Sequence, residues 1–98
     1  MKFLVSRDKS TECLLVECFN NRKMVSSQSV FDDDLLSFIH SYLSMIKVES
    51  LSALGVTEWW ITDSEGMMVE GHFTNIESAQ KRCIEIKHGK PTIQWETF

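Results

Sequence analysis

The side chains that could bind a metal or attack a substrate do not have the spacing of such sites. No histidine pair shows the H-x₃₋₅-H spacing of zinc ligands, and no C-x-x-C pair occurs. Cys13 and Cys18 differ by five positions, which places them on opposite faces of a strand. Serines surround His40, but no G-x-S-x-G or similar nucleophile motif accompanies them. The sequence therefore predicts no catalytic residue, no metal ligand and no cofactor, and we expect a protein that is not an enzyme.

Three adjacent carboxylates, Asp32, Asp33 and Asp34, could in principle bind a hard cation. Adjacent side chains at the start of a helix diverge, however, and no further oxygen ligands follow at the spacing of a calcium-binding loop. Aspartate at a helix start instead caps the first turn and interacts favourably with the helix dipole. We therefore interpret the triplet as the beginning of a helix, with Asp32 as its cap.

Charge is segregated along the chain. The segment 31–77 contains nine acidic residues and a single base, Lys47, whereas the two flanking segments each have a net charge of +2. An acidic surface repels phosphate and attracts basic partners. An open sheet with aromatic residues can stack nucleic-acid bases, but the acidic segment has no run of basic and aromatic residues of that kind. We expect no direct nucleic-acid contact, although the basic ends of the chain leave an accessory nucleic-acid binder as a weaker alternative.

The hydrophobic pattern predicts a single α+β domain over residues 1–98. Strands are predicted at residues 3–5, 12–19, 23–30, 56–62, 67–73 and 92–98. One helix begins at Asp32, a second runs over 74–88 from a capping box, and 49–55 is interpreted as a linker. The order βββαββαβ predicts an antiparallel β-sheet with two helices on one face. Its last six elements, βαββαβ, have the order of a ferredoxin-like core, and an N-terminal hairpin precedes them in the chain.

The second predicted hairpin has one apolar and one mixed face. Asp63 and Gly66 suit a type I turn followed by a glycine bulge, and this register places Asp63 opposite Met67. The apolar face would belong to the core and would place Trp59 across from Gly71. The mixed face would carry six residues: Glu58, Trp60, Thr62, Met68, Glu70 and His72.

We interpret the mixed face as a binding surface for a protein with a basic surface. An aromatic ring and a flexible thioether surrounded by carboxylates suit such an interface, and the hairpin tip adds two acids. The predicted contact residues are Trp60, Glu58, Glu70, Asp63, Glu65, Met68 and His72. An inhibitor or immunity-type protein that masks a nuclease or another nucleic-acid-handling partner has this size and charge. The competing interpretation is that the N-terminal strands cover Trp60 and that the acids form an ordinary solvated rim.

Assembly and location give further expectations. The alternative to an inhibitor is a homodimeric regulatory or ligand-binding domain of ferredoxin-like shape, joined through exposed strand edges or helix faces. The first apolar run has only three residues, which is too short for a signal peptide or a membrane span. We therefore expect a cytoplasmic protein with no membrane partner, whose three cysteines are thiols.

Overall fold

The computed structural model describes residues 1–7, 9–10 and 12–96. Within them the elements are β1 (Lys2–Arg7), β2 (Leu14–Asn20), β3 (Lys23–Val30), a 3₁₀ turn (Asp32–Asp34), α1 (Leu35–Ser44), β4 (Lys47–Ala53), β5 (Val56–Thr62), β6 (Met68–Phe73), α2 (Ile76–His88) and β7 (Thr92–Trp95). The predicted α+β class with two helices is confirmed. Of the predicted last strand, residues 92–95 form β7, and Thr97 and Phe98 lie outside the described residues.

The strands form two sheets, and the chain divides into two compact units. The first unit is Met1–Ser41 with Lys90–Phe98, and the second is Tyr42–Gly89. A four-stranded sheet in the order β3-β2-β1-β7 belongs to the first unit, and a three-stranded sheet in the order β4-β5-β6 belongs to the second. The boundary between the units falls inside α1. The expectation of one domain over residues 1–98 stays a prediction.

In the first unit, β1 is one of the two inner strands of the sheet. It pairs antiparallel with β2 and parallel with β7. Alternate residues of a strand point to one face, and Leu14, Val16 and Cys18, which share a face of β2, are all buried. Phe3 and Val5 on β1 are completely buried beside them. This continuous apolar face is the core of the first unit.

The start of α1 differs from the prediction. The three aspartates form a 3₁₀ turn with Phe31 as its N-cap, and no side chain caps it. Asp32 is not the cap because both of its carboxylate oxygens accept hydrogen bonds from the Arg7 guanidinium, at 2.8 and 2.9 Å. The three acids still lie in the first turn, as the helix dipole favours. The location of the helix start is therefore right, and the capping residue is wrong.

The predicted linker 49–55 is wrong, because most of it belongs to β4. This strand pairs antiparallel with β5 along its whole length, from Lys47 opposite Thr62 to Ala53 opposite Val56. The hairpin closes through Leu54 and Gly55, both of which have positive φ. The second unit therefore has a three-stranded sheet where a two-stranded hairpin was predicted.

The helix α2 belongs to the second unit and contacts all three of its strands. Its N-cap is Asn75, whose side chain accepts a hydrogen bond from the Ser78 N–H at 2.8 Å. The buried side of the helix is formed by Ala79, Cys83 and Ile86, as its periodicity predicts, whereas Ile76, which the same periodicity places on that side, is exposed. No helix in the described ranges combines the length and the apolarity that crossing a membrane requires.

Candidate protein-binding site

The turn between β5 and β6 is built around Asp63. Its Oδ1 accepts hydrogen bonds from the backbone N–H groups of Glu65 and Met67 at 2.9 and 3.0 Å, and its Oδ2 accepts one from the Tyr42 hydroxyl at 3.0 Å. Gly66 occupies the left-handed region that the turn requires, with φ of +81°. Asp63 is only 1% exposed. The predicted turn is confirmed, but Asp63 holds it from inside and is not a surface acid. Glu65 remains exposed at the tip.

Two register shifts in the β5–β6 hairpin change which residues share a face. Thr62 lies opposite Met68, as the predicted register requires, but Ile61 lies opposite Glu70 and Trp59 opposite Phe73. Each shift inserts one extra residue on β6, as a β-bulge does. The predicted pairing of Trp59 with Gly71 is therefore wrong.

Glu70 consequently does not lie beside Trp60. Directly opposed residues share a face, so Glu70 is on the side of the fully buried Ile61. Its Oε2 accepts a hydrogen bond from Arg82 Nε of α2 at 2.8 Å, and Arg82 also contacts Glu85 at 3.3 Å. The hydrogen bond and charge of Glu70 raise the pKa of Arg82. The predicted role of Glu70 as an acid next to Trp60 is wrong, because its charge is compensated within the second unit.

Trp60 lies in a compact cluster with three neighbours. Its ring centroid is 5.3 Å from that of His72, with the two planes tilted by 52°. His72 Nε2 in turn lies 4.0 Å from the Glu58 Oε2 atom. A Cβ atom at Gly71 would come within 2.8 Å of Trp60 Cδ1, so the bare glycine backbone is what lets the indole lie so close. Trp60, Glu58 and His72 therefore come together as the sequence predicted.

The indole N–H of Trp60 points inward. Among the described residues, Trp60 Nε1 and the neighbouring Thr62 Oγ1 are buried side-chain polar atoms with no hydrogen-bond partner. Trp60 as a whole is half-buried. A partner would therefore meet ring carbon atoms of Trp60, and the contact would be one of packing or cation–π attraction.

An exposed apolar patch adjoins this cluster on the same face of the three-stranded sheet. In the register, Glu49 lies opposite Trp60, and Leu51 lies opposite Glu58. Leu51 is 53% exposed, and Val56, at the start of β5, is 60% exposed. Side chains of this size on one continuous face are typical of an interaction site. The patch was missed from the sequence because 49–55 was interpreted as a linker.

We call this face the Trp60 surface. It comprises Glu49, Leu51, Val56, Glu58, Trp60, Met68 and His72. The Glu49 carboxylate lies 3.2 Å from the Lys47 ammonium group, an exposed ion pair of little energetic weight. Among the described residues, the charged partner of the Glu58 carboxylate is His72, and the two form an ion pair only when that imidazole is protonated. Glu58 is thus the least compensated carboxylate beside Trp60.

The parts of the chain that the structure describes form no candidate metal-binding site. They contain no group of three or more histidine, cysteine, aspartate or glutamate side chains that could hold an ion.

The chain matches no protein-family model, no curated protein and no solved structure. Any functional assignment therefore depends on the geometry and charge of the residues themselves.

Proposed function

We propose that this protein binds a partner protein with a basic surface through the Trp60 surface, and that it acts as an inhibitor or immunity-type protein. The partner would be a nuclease or another protein that handles nucleic acid, and the acidic face would occupy the place of phosphate. The observation that carries this proposal is the contact of Trp60 with His72, which in turn lies 4.0 Å from Glu58, beside the exposed Leu51 and Val56.

The chemistry of the surface suits a lysine or arginine side chain. A cation placed against an indole ring gains up to about 2 kcal/mol when the pair is desolvated. Glu58, next to the ring, would bind the same cation by a charge-assisted hydrogen bond. Leu51, Val56 and Met68 would pack against apolar parts of the partner around this central contact. Such an interface forms quickly and weakens as salt is added.

The proposed contact set differs from the one predicted from the sequence. Trp60, Glu58, Met68 and His72 remain in it, and Glu49, Leu51 and Val56 are added. Asp63 and Glu70 are left out because their carboxylates are bound inside the second unit. Glu65, exposed at the hairpin tip, would contribute only to long-range attraction. A cytoplasmic location is part of the proposal, supported by Cys13, Cys18 and Cys83 being thiols.

Affinity capture followed by measured binding tests the proposal. The full chain would be used as bait in a lysate of its own source cells, and each captured protein would then be purified and titrated by calorimetry. We expect a partner with a basic surface whose affinity falls steeply between low and physiological salt. Glu58→Gln should weaken binding by about fivefold to thirtyfold, the range that 1–2 kcal/mol produces.

Glu77→Gln is the matched control, because Glu77 is an exposed acid of α2 away from the Trp60 surface. It removes the same charge and should leave the affinity within about twofold. Equal losses for the two variants would mean that only net charge matters and would contradict the assigned site. A partner that binds equally well at all salt concentrations would contradict the proposed chemistry.

The homodimer stays a second candidate because β4 is an edge strand with exposed apolar side chains. Leu51, Leu54 and Val56 lie on or beside it and are all more than half exposed. Pairing of two β4 edges would cover them. Size-exclusion chromatography with light scattering separates the candidates, because a dimer that Leu51→Glu dissociates would favour self-assembly over the inhibitor.

A further inference from the structure

The apolar face of the first unit's sheet continues into β7, where the described residues leave it partly exposed. In the register, Val5 lies opposite Trp95, and Phe3 lies opposite Ile93. Directly opposed residues share a face, so Ile93 and Trp95 extend the face to which Phe3 and Val5 belong. Phe3 and Val5 are completely buried, whereas Ile93 is 37% and Trp95 54% exposed. The edge of this hydrophobic face is therefore open.

A groove of about 430 Å³ lies over this open edge. On the sheet side it is lined by Leu14, Ile93 and Trp95, and on the helix side by Leu35 and Leu36 at the start of α1. These five lining residues are apolar, and two of them, Leu36 and Trp95, are more than half exposed. A sheet face is ordinarily covered by a second layer of structure. The groove therefore offers apolar surface to a further element of structure.

The charge of the groove is negative and only partly compensated. Among the described residues that line it, the carboxylates are those of Asp32 and Asp33. Asp32 is bound by both terminal nitrogens of Arg7. Among the described residues, none forms a hydrogen bond or an ion pair with the Asp33 carboxylate. A partner with a lysine or arginine next to its apolar stripe would therefore complement the groove, whereas a second copy related by a two-fold axis would place carboxylate against carboxylate.

We propose that this groove binds an amphipathic helix of another protein, with apolar side chains against Ile93 and Trp95 and a basic side chain at Asp33. This mode is the ordinary one in which a helix fills a hydrophobic groove. The site goes beyond the proposed function, because it lies in the first unit, depends on a different tryptophan and selects the shape of the partner as well as its charge.

Two synthetic peptides test the proposal on the full chain. Both are roughly 15 residues long and helical, with one leucine face and with either lysine or glutamate on the other face. The lysine peptide is added to the ¹⁵N-labelled protein, and amide shifts are followed. We expect shifts concentrated in β7 and at the start of α1, and at least about tenfold weaker binding of the glutamate peptide. Asp33→Asn should narrow that difference.

Matched tryptophan variants distinguish the groove from the Trp60 surface. Trp95→Ala should weaken binding of the lysine peptide, measured from the amide shifts of β7, by about tenfold, and Trp60→Ala should leave the affinity measured at those amides unchanged. Shifts confined to β5 and β6, or equal affinity for the two peptides, would overturn the proposal. If Trp95→Ala unfolds the chain, Leu36→Ala, at an exposed position, supplies the same test. Sedimentation showing a dimer that Trp95→Ala dissociates would also overturn it, because the occupant would then be a second copy.

Discussion

The indole of Trp60 lies against the backbone of Gly71, so closely that a Cβ atom at position 71 would come within 2.8 Å of Trp60 Cδ1. The contact results from the two register shifts in the β5–β6 hairpin, which bring Gly71 next to Trp60. Because Gly71 has no side chain, the Trp60 ring of the proposed interface can lie against its backbone. The mutual position of these two residues can be tested directly.

We predict that Gly71→Ala destabilises the protein by about 1–3 kcal/mol, because the added methyl group overpacks the indole ring. The measurement is urea denaturation, and the control is the same substitution in a Trp60→Ala background. There the methyl group meets no ring, and the cost should fall below about 1 kcal/mol. An equal cost in both backgrounds would show that the two residues do not constrain each other.

Asp63→Ala should lower the free energy of unfolding by about 2–4 kcal/mol. The substitution leaves two backbone N–H groups and the Tyr42 hydroxyl without their acceptor, and hydrogen bonds to a charged group contribute more than neutral ones. Glu65→Ala, two residues away and exposed, should change stability by less than about 0.5 kcal/mol. Similar losses for both variants would contradict the assignment of Asp63 as the residue that holds the turn.

The ion pair of Arg7 with Asp32 predicts a specific pH dependence. The hydrogen bond from Arg7 lowers the pKa of Asp32. A carboxyl whose pKa is lower in the folded state stabilises the protein above its unfolded pKa of about 4, and this contribution is lost as the pH falls through the folded pKa. We expect Arg7→Gln to raise the pKa of Asp32 in an NMR titration, with a smaller change at high salt because the pair is exposed. An unchanged titration would exclude the pair in solution.

Burial makes Cys83 an unreactive thiol. Desolvation raises the pKa of Cys83, and its Sγ lies 3.8 Å from the carbonyl oxygen of Ile46. Since the thiolate is the reactive form, we predict that Cys83 reacts with a disulfide reagent at about pH 8 at least tenfold more slowly than the less buried Cys13. Variants that retain one of these cysteines each would give the two rates. Equal rates would mean that Cys83 is accessible.

The sequence predicted those features of the fold that are encoded by neighbouring residues. The hairpin turn follows from Asp63 and Gly66, which lie within four positions of each other. Apolar alternation likewise located the buried face of β2, and helical periodicity located the buried side of α2. The prediction that Asp32 caps the helix was wrong because the Asp32 carboxylate binds Arg7. Arg7 is 25 positions away in the chain, so the local sequence does not reveal this contact.

The candidate site could be predicted in part. Trp60 and Glu58 share a face because they alternate along β5. His72 also lies on that face because the two register shifts together move β6 by two residues, which restores the predicted face for His72 but not for Glu70. Glu70 was misplaced because two β-bulges are not visible in an alternating pattern, although a glycine inside a strand, such as Gly71, is a recognised sign of one. The strand β4 was missed because its serine-rich sequence is weakly hydrophobic, and its hairpin signal is limited to Gly55.

The central claim is that a basic partner binds through Trp60. The most direct test is the dissociation constant of the captured partner for the wild-type chain and for two tryptophan variants. We predict that Trp60→Ala weakens binding by at least about tenfold, as removal of an interface hot spot does. Trp95→Ala, which removes an equally large ring from the first unit, should leave that affinity unchanged. Unchanged binding by a folded Trp60→Ala variant would contradict the proposed function.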